Sequence, residues 1–229
     1  MLTGSGTKGR LARLKDMALR EFRLIALLAL TIPLGLGLMP HPASATTVER
    51  KSLSDLAKGS ELIIDGTVTG RSVEALANGQ GARTCFTFKI TEVIVGSHPG
   101  KTLRLCFFGG EINGRGFAVS GMRYPDVGER GIYLIESTHQ AMLNPLIGWD
   151  QGRFLIVKDA TGGAKVTTAD GQRITGLADT AARPTSADEG IVSPSGAAAA
   201  GVVSDQKPEL AGAISRDEFV AKLRSYRDQ

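Results

Sequence analysis

The sequence predicts a mostly β protein: a small five-stranded antiparallel barrel with a short N-terminal helix and a C-terminal helix after a flexible linker. Three observations predict it. Five short segments rich in Ile, Val, Thr and Phe are separated by Gly-containing connections, as in a compact antiparallel barrel or sandwich. Their strand-turn-strand spacing favours the barrel. After about residue 178 the composition shifts to Ala, Ser, Gly and Pro, so the packed domain ends there and only a helical segment follows.

The chain opens on a leader. Residues 1–23 are basic and polar, and residues 24–39 (LIALLALTIPLGLGLM) carry no charge. HPASA follows, with Ala43 and Ala45 in the small-x-small pattern of a signal peptidase site, so the cut is expected between Ala45 and Thr46. A membrane anchor would want about 20 apolar residues. This run is shorter and is interrupted by Pro33, Gly35 and Gly37. No Cys follows the cut to take a lipid, and Met17 offers a second start. The expectation is a periplasmic or secreted protein with no transmembrane anchor after processing.

Removing the leader changes the charge. The whole chain has 27 Lys+Arg and 23 Asp+Glu. The leader holds six of the basic and two of the acidic residues, so the mature chain carries 21 of each. A nucleic-acid binder should present a basic face, and this balance calls for none.

Each element of the mature chain (46–177 for the barrel) has its own signal. Residues 52–58 (SLSDLAK) put Leu53, Leu56 and Ala57 on one helical face, ended by Gly59. Residues 61–70 (ELIIDGTVTG) read as a strand and 74–82 as a loop. Residues 84–95 alternate, with Phe86, Phe88 and Ile90 on one face and Cys85, Thr87 and Lys89 on the other. The phase slips near Glu92, as a bulge would make it. GSHPGK turns the chain into a returning strand, 102–108. Residues 131–136 and 153–158 are two more strands, and 165–168 a small extra one. Residues 178–208 form the expected linker, and 209–229 hold the C-terminal helix. In that helix Ser215 and Glu218 make a capping box, and Phe219, Leu223 and Tyr226 share a face that needs an apolar surface.

The order SLSDLAKGSELIIDGTV, FTFKITEVIVGSHPGKTLRL, GGEINGRGFAVSGMRYPDVGERGIYLIE, GWDQGRFLIV resembles a group of uncharacterised exported bacterial proteins. That group is described as having an OB-like barrel akin to the tissue inhibitors of metalloproteinases. The similarity covers residues 48–176 and the terminal helix, and Gly109–Arg130 is its most specific stretch. It implies a fold and an envelope or secreted location, and no activity. True metalloproteinase inhibitors chelate zinc through a Cys at the mature N-terminus. Here Thr46 stands there, so that mechanism is not carried over.

No constellation reads as an active site, and no cofactor or metal ligand set is found. GGEINGRGFAVSG, from Gly109 to Gly121, lacks the GK[ST] and the following helix of a phosphate loop, so its glycines read as bends. His98 and His139 have no second ligand at metal spacing. Ser97 beside His98 lacks GxSxG, and Asp126 and Glu129 read as turn or solvent residues. A hydrolase would need a deep pocket holding His98 or His139 against a carboxylate. An outward Phe108, with Tyr124 and Trp149, is the candidate binding face. A turn centred near His98 offsets Cys85 and Cys106 by five residues, about 17 Å at ~3.4 Å per residue, which predicts no bridge between them. The expected function is a non-enzymatic binding module with a protein or glycan partner outside the cytoplasm and no nucleic acid. Regulation of a secreted metalloprotease is the alternative.

Overall fold

The computed structural model describes residues 47–77, 79, 81–178, 191–193, 196, 198–207 and 209–228. The expected cleavage point at Ala45 and Thr46, the leader before it and residues 179–190 of the expected linker lie outside the described residues. The elements, in order, are β1 (Val48–Glu49), α1 (Leu53–Gly59), β2 (Leu62–Ala75), β3 (Ala82–Val95), β4 (Thr102–Phe108), β5 (Gly110–Ile112) and β6 (Arg115–Phe117). Then come β7 (Arg130–Ile135), a 3-10 turn (Trp149–Gly152), β8 (Arg153–Lys158), β9 (Ala164–Thr168), β10 (Arg173–Leu177), β11 (Ile191–Val192), β12 (Val202–Asp205) and α2 (Arg216–Arg227).

The five-stranded barrel, and the OB-like barrel the resemblance implied, are both overturned. Eight strands form one antiparallel sheet in the order β12-β10-β9-β8-β7-β2-β3-β4. Closing a barrel requires the two edge strands to pair, and β4 and β12 do not. Two things widened the sheet beyond the expectation. β10 is short and contains Gly176, so it gives little periodic signal. β12 sits inside the expected linker, where residues 198–207 are part of the fold rather than a tether. Its place depends on a partner far along the chain: the Arg173 Nε donates to Asp205 at 2.9 Å. Nearby, β11 pairs with β1, joining Val192 to Val48.

The alternation of the central strands makes a core on both faces of the sheet. On one face Ile63, Ile94, Ile132, Leu134, Phe154 and Ile174 meet both helices. On the other, Leu62, Ile64, Phe86, Phe88, Leu105, Phe107, Tyr133 and Ile135 pack together. The slip in β3 is a ladder irregularity: Gly66 pairs with Ile90 but Asp65 with Glu92, leaving Thr91 extra.

Each helix starts on a serine whose hydroxyl satisfies an orphan amide. Ser52 accepts from the Asp55 N–H at 3.0 Å, and Ser215 from the Glu218 N–H at 3.1 Å. Phe219, Val220, Leu223 and Tyr226 are buried against the sheet, and the Phe219 ring lies 4.6 Å from that of Phe154. Ion pairs hold the same helix. Arg216 donates to the fully buried Asp65 at 3.0 Å and pairs with Glu92, which also takes Arg224.

Hydrogen bonding from Arg216, with help from Arg224, lowers the Glu92 carboxyl below the ordinary value of about 4.5 despite its partial burial. A depressed folded-state pKa adds stability that is complete above the unfolded value and is lost as pH falls through the folded one. The melting temperature should therefore fall as pH drops below about 4.5. Glu92→Gln should flatten part of that acid slope. A slope identical in the two proteins would show that this pair is not linked to folding.

The expectation against a disulfide is also overturned: Cys85 and Cys106 are bridged and stand directly opposite each other. The turn is not tight about His98. β3 and β4 pair only over Arg83–Lys89 and Thr102–Phe108, after which β3 runs on beside β2 alone. The Ile90 amide closes this ladder on the Lys101 carbonyl at 2.8 Å, so the connection is centred near residue 95. The bridge closes a loop of 21 residues; at that length its removal should cost about 3 kcal/mol. Thiol labelling of denatured, non-reduced protein should find no free cysteine, and reduction should lower the urea midpoint. Labelling of two thiols, or an unmoved midpoint, would contradict this.

Candidate functional site

β4 is an edge, and its alternation decides which of its groups are spent. The Ile90 amide donates to Lys101 and the Gly109 amide to Ala82 at 2.7 Å. Odd-numbered residues of β4 therefore exchange bonds with β3, while the main-chain groups of Thr102, Arg104, Cys106 and Phe108 point away from it. Both ends of this outer edge are capped. The His98 Nε2 meets the Thr102 carbonyl at 3.0 Å. The Phe108 amide donates to the Leu143 carbonyl, and the Tyr124 hydroxyl donates to the Phe108 carbonyl, both at 2.8 Å. Gly109 permits that last approach: at φ 101° it is outside ordinary L-residue space, and a Cβ there would lie 2.5 Å from the tyrosine oxygen. Between the caps, the amides and carbonyls of Arg104 and Cys106 have no partner among the described residues.

Beside this open stretch lies a cleft of about 450 Å³. The loop Ser137–Leu143 forms its far wall, and Leu76, Leu105, Cys106 and Phe108 its near one. The loop joins β4 at Leu143 and is tied at its other end: the Thr138 amide donates to Glu61 at 3.2 Å, and the Ser137 hydroxyl accepts from the amides of His139 and Gln140. Leu143, 53% exposed, sits at the rim. Arg83 and Arg104 line the same cleft and share one carboxylate, Glu74; the Arg83 Nε lies 3.1 Å from it. Two guanidiniums on one carboxylate leave a net positive charge at the mouth.

The structure places the sequence-derived residues as follows. Phe108 is half-buried and lines the cleft. Tyr124 packs on Phe86 and Phe107, at ring separations of 6.0 and 5.9 Å, and closes one end of the open edge through its hydroxyl. Trp149 does not join them: it starts the 3-10 turn at φ 60° and does not line the cleft. His139 stands 3.6 Å from Glu61, but its side chain is 86% exposed. The Glu61 carboxyl is lowered first by the Thr138 hydroxyl, so this is a loop tie in open solvent rather than a buried base.

Glu129 caps the turn before β7, as one half of that expectation had it, accepting from the Asp126 amide at 3.3 Å, but it does not face solvent. It accepts from the Tyr133 hydroxyl at 2.9 Å and from Arg153 at 3.1 Å. Burial, reinforced by that carboxylate, pushes the Tyr133 hydroxyl far above its usual range. Arg123 and Asp150 complete the network, the guanidinium 3.0 Å from the carboxylate. Its two arginines balance its two carboxylates, so it reads as structural. The residues that sequence reasoning missed are Glu74, Arg83, Arg104 and Leu143. The β2–β3 and β3–β4 registers bring Glu74, Arg83 and Arg104 together, and the Phe108–Leu143 bond brings Leu143 beside them.

Among the described residues no helix is long and apolar enough to cross a membrane, and no group of three or more His, Cys, Asp or Glu can hold a metal ion. A disulfide is compatible with an extracellular or periplasmic location. Comparison with family models, with curated proteins and with solved structures finds no match to this chain.

Proposed function

We propose that the protein is an exported, non-enzymatic binding module of the cell envelope or secreted fraction, and that it binds its partner in the cleft beside β4. The observation that carries this reading is the cleft itself. It pairs an apolar wall with a positive mouth and open main-chain groups, and polar groups converging on an apolar hollow are the usual make-up of a binding site. The signal-like leader supports the compartment. The disulfide, which thiol-reducing compartments disfavour, supports it too.

The test applies the mature chain, residues 46–229, to glycan arrays and to a displayed library of random linear peptides, beside Leu143→Asp. Leu143 is exposed, so that change leaves the core intact while placing a charge at the rim. Binding by the wild type that falls at least about tenfold in the variant, or 1.4 kcal/mol, supports the reading. Equal binding by the two, or none by either, refutes it.

A further inference from the structure

We infer that the ligand of this cleft is an extended acidic peptide segment that adds as a further strand to the outer edge of β4. The inference rests on the binding reading above and assigns its ligand class. Its basis is the accounting of main-chain groups along one strand. Four of them, the N–H and C=O of Arg104 and of Cys106, point away from β3 into the cleft side with no partner among the described residues. Edge strands are ordinarily blunted, because such a row of groups is a template for another strand. Here the blunting is local. His98 closes the edge at Thr102, and Tyr124 with Leu143 closes it at Phe108, so a two-residue window is left open between two caps.

The space fits the occupant. An added strand lies about 4.8 Å from its neighbour, and the cleft of about 450 Å³ between β4 and the loop borders the open groups; the loop meets the edge at Phe108, where Leu143 caps it. A glycan could use the arginines but has no repeating N–H and C=O to match the window, whereas an extended peptide supplies both. Alternate side chains of an added strand point to opposite faces, so one set meets Phe108, Leu76 and Leu143 while the window fixes the register. Arg83 and Arg104 carry one more positive charge than Glu74 neutralises, which selects an Asp or Glu side chain on the peptide. Strand addition of this kind draws affinity from the main chain and specificity from the side-chain pockets.

The test selects linear peptides from the random library on the mature chain and measures three proteins against the selected sequences. Arg104→Thr keeps the amide and removes the charge; it should weaken binding and erase the preference for acidic peptides. Arg104→Pro also removes the amide. Proline is tolerated on an edge strand where the N–H faces outward, and loss of one further main-chain bond should lower affinity a further ~fivefold. Thermal melts establish that both variants fold. Should the proline variant not fold, hydrogen exchange on the wild type decides instead: the Arg104 and Cys106 amides should gain at least about tenfold protection on binding. Equal binding by Arg104→Thr and a folded Arg104→Pro, unchanged exchange at both amides, or selection of peptides without acidic residues overturns the inference. So does a library that yields no peptide. If Leu143-sensitive glycan binding is then found, the cleft stands as a binding site and only this ligand assignment falls.

Discussion

Deleting residues 209–229 should leave a chain that does not fold cooperatively at 25 °C. The deletion removes Phe219, Val220, Leu223 and Tyr226, none more than 3% exposed. At about 1.5–3 kcal/mol for each such side chain, the loss is roughly 6–12 kcal/mol. A domain has only about 5–15 kcal/mol in total. The deletion also uncovers Phe154, Ile63 and Ile94 on the sheet face and strips Arg216 from Asp65. Urea titration of residues 46–208, followed by circular dichroism, should show no cooperative transition. A cooperative transition with an unchanged midpoint would mean that the helix is not part of this core and that its apolar face serves a partner.

Asp65→Ala should be the most damaging single substitution outside the apolar core. Asp65 is fully buried near the start of β2 and accepts from Arg130 at 3.1 and 2.8 Å and from Arg216 at 3.0 Å. A carboxylate at a fully desolvated site is tolerable only because these donors surround it. Removing it leaves Arg216, whose side chain is 15% exposed, with one carboxylate fewer, and breaks the tie between β2, β7 and the start of α2. The expected loss is about 3–5 kcal/mol. For a chain of this size that lowers the melting temperature by roughly 6–20 °C. The double variant Asp65→Ala, Arg216→Ala should lose much less than the sum of the singles, since the two act as one unit. A shift within about 1 °C for Asp65→Ala would show that the pair contributes nothing net, as exposed pairs do.

The sequence made the local elements legible where side chains alternate or cap. The 3.6-residue spacing of Phe219, Leu223 and Tyr226, the serines at 52 and 215, and the strands around Phe86, Leu105 and Leu134 can all be read from neighbours within a few positions. What it did not show depends on long-range pairing. β12 is four residues, VVSD, in a tract of small residues, and is held by β10 almost thirty positions earlier. With β10, it carries the sheet beyond the strands read from the sequence and leaves β12 and β4 as its two edges. The site was hidden for the same reason. Glu74, Arg83, Arg104 and Phe108 converge only if Cys85 lies opposite Cys106, and a turn placed at His98 puts them out of register. Had the only two cysteines of this chain been taken as bridged, the β3–β4 register would have followed, and the cleft residues on those strands with it. Phe108 was within reach because two adjacent aromatics on a strand must point opposite ways.

The sheet is open and its β4 edge is unpaired between two caps, which amide hydrogen exchange on free residues 46–229 would show. Bonds to β3 should strongly protect the amides of Leu103, Leu105 and Phe107, and the bond to Leu143 should protect Phe108. The amides of Arg104 and Cys106, facing the cleft, should exchange near the rate of an unstructured chain. Strong protection of all of them alike would mean that another strand of this chain already covers the edge, as in a closed barrel, and that β4 is not an open edge.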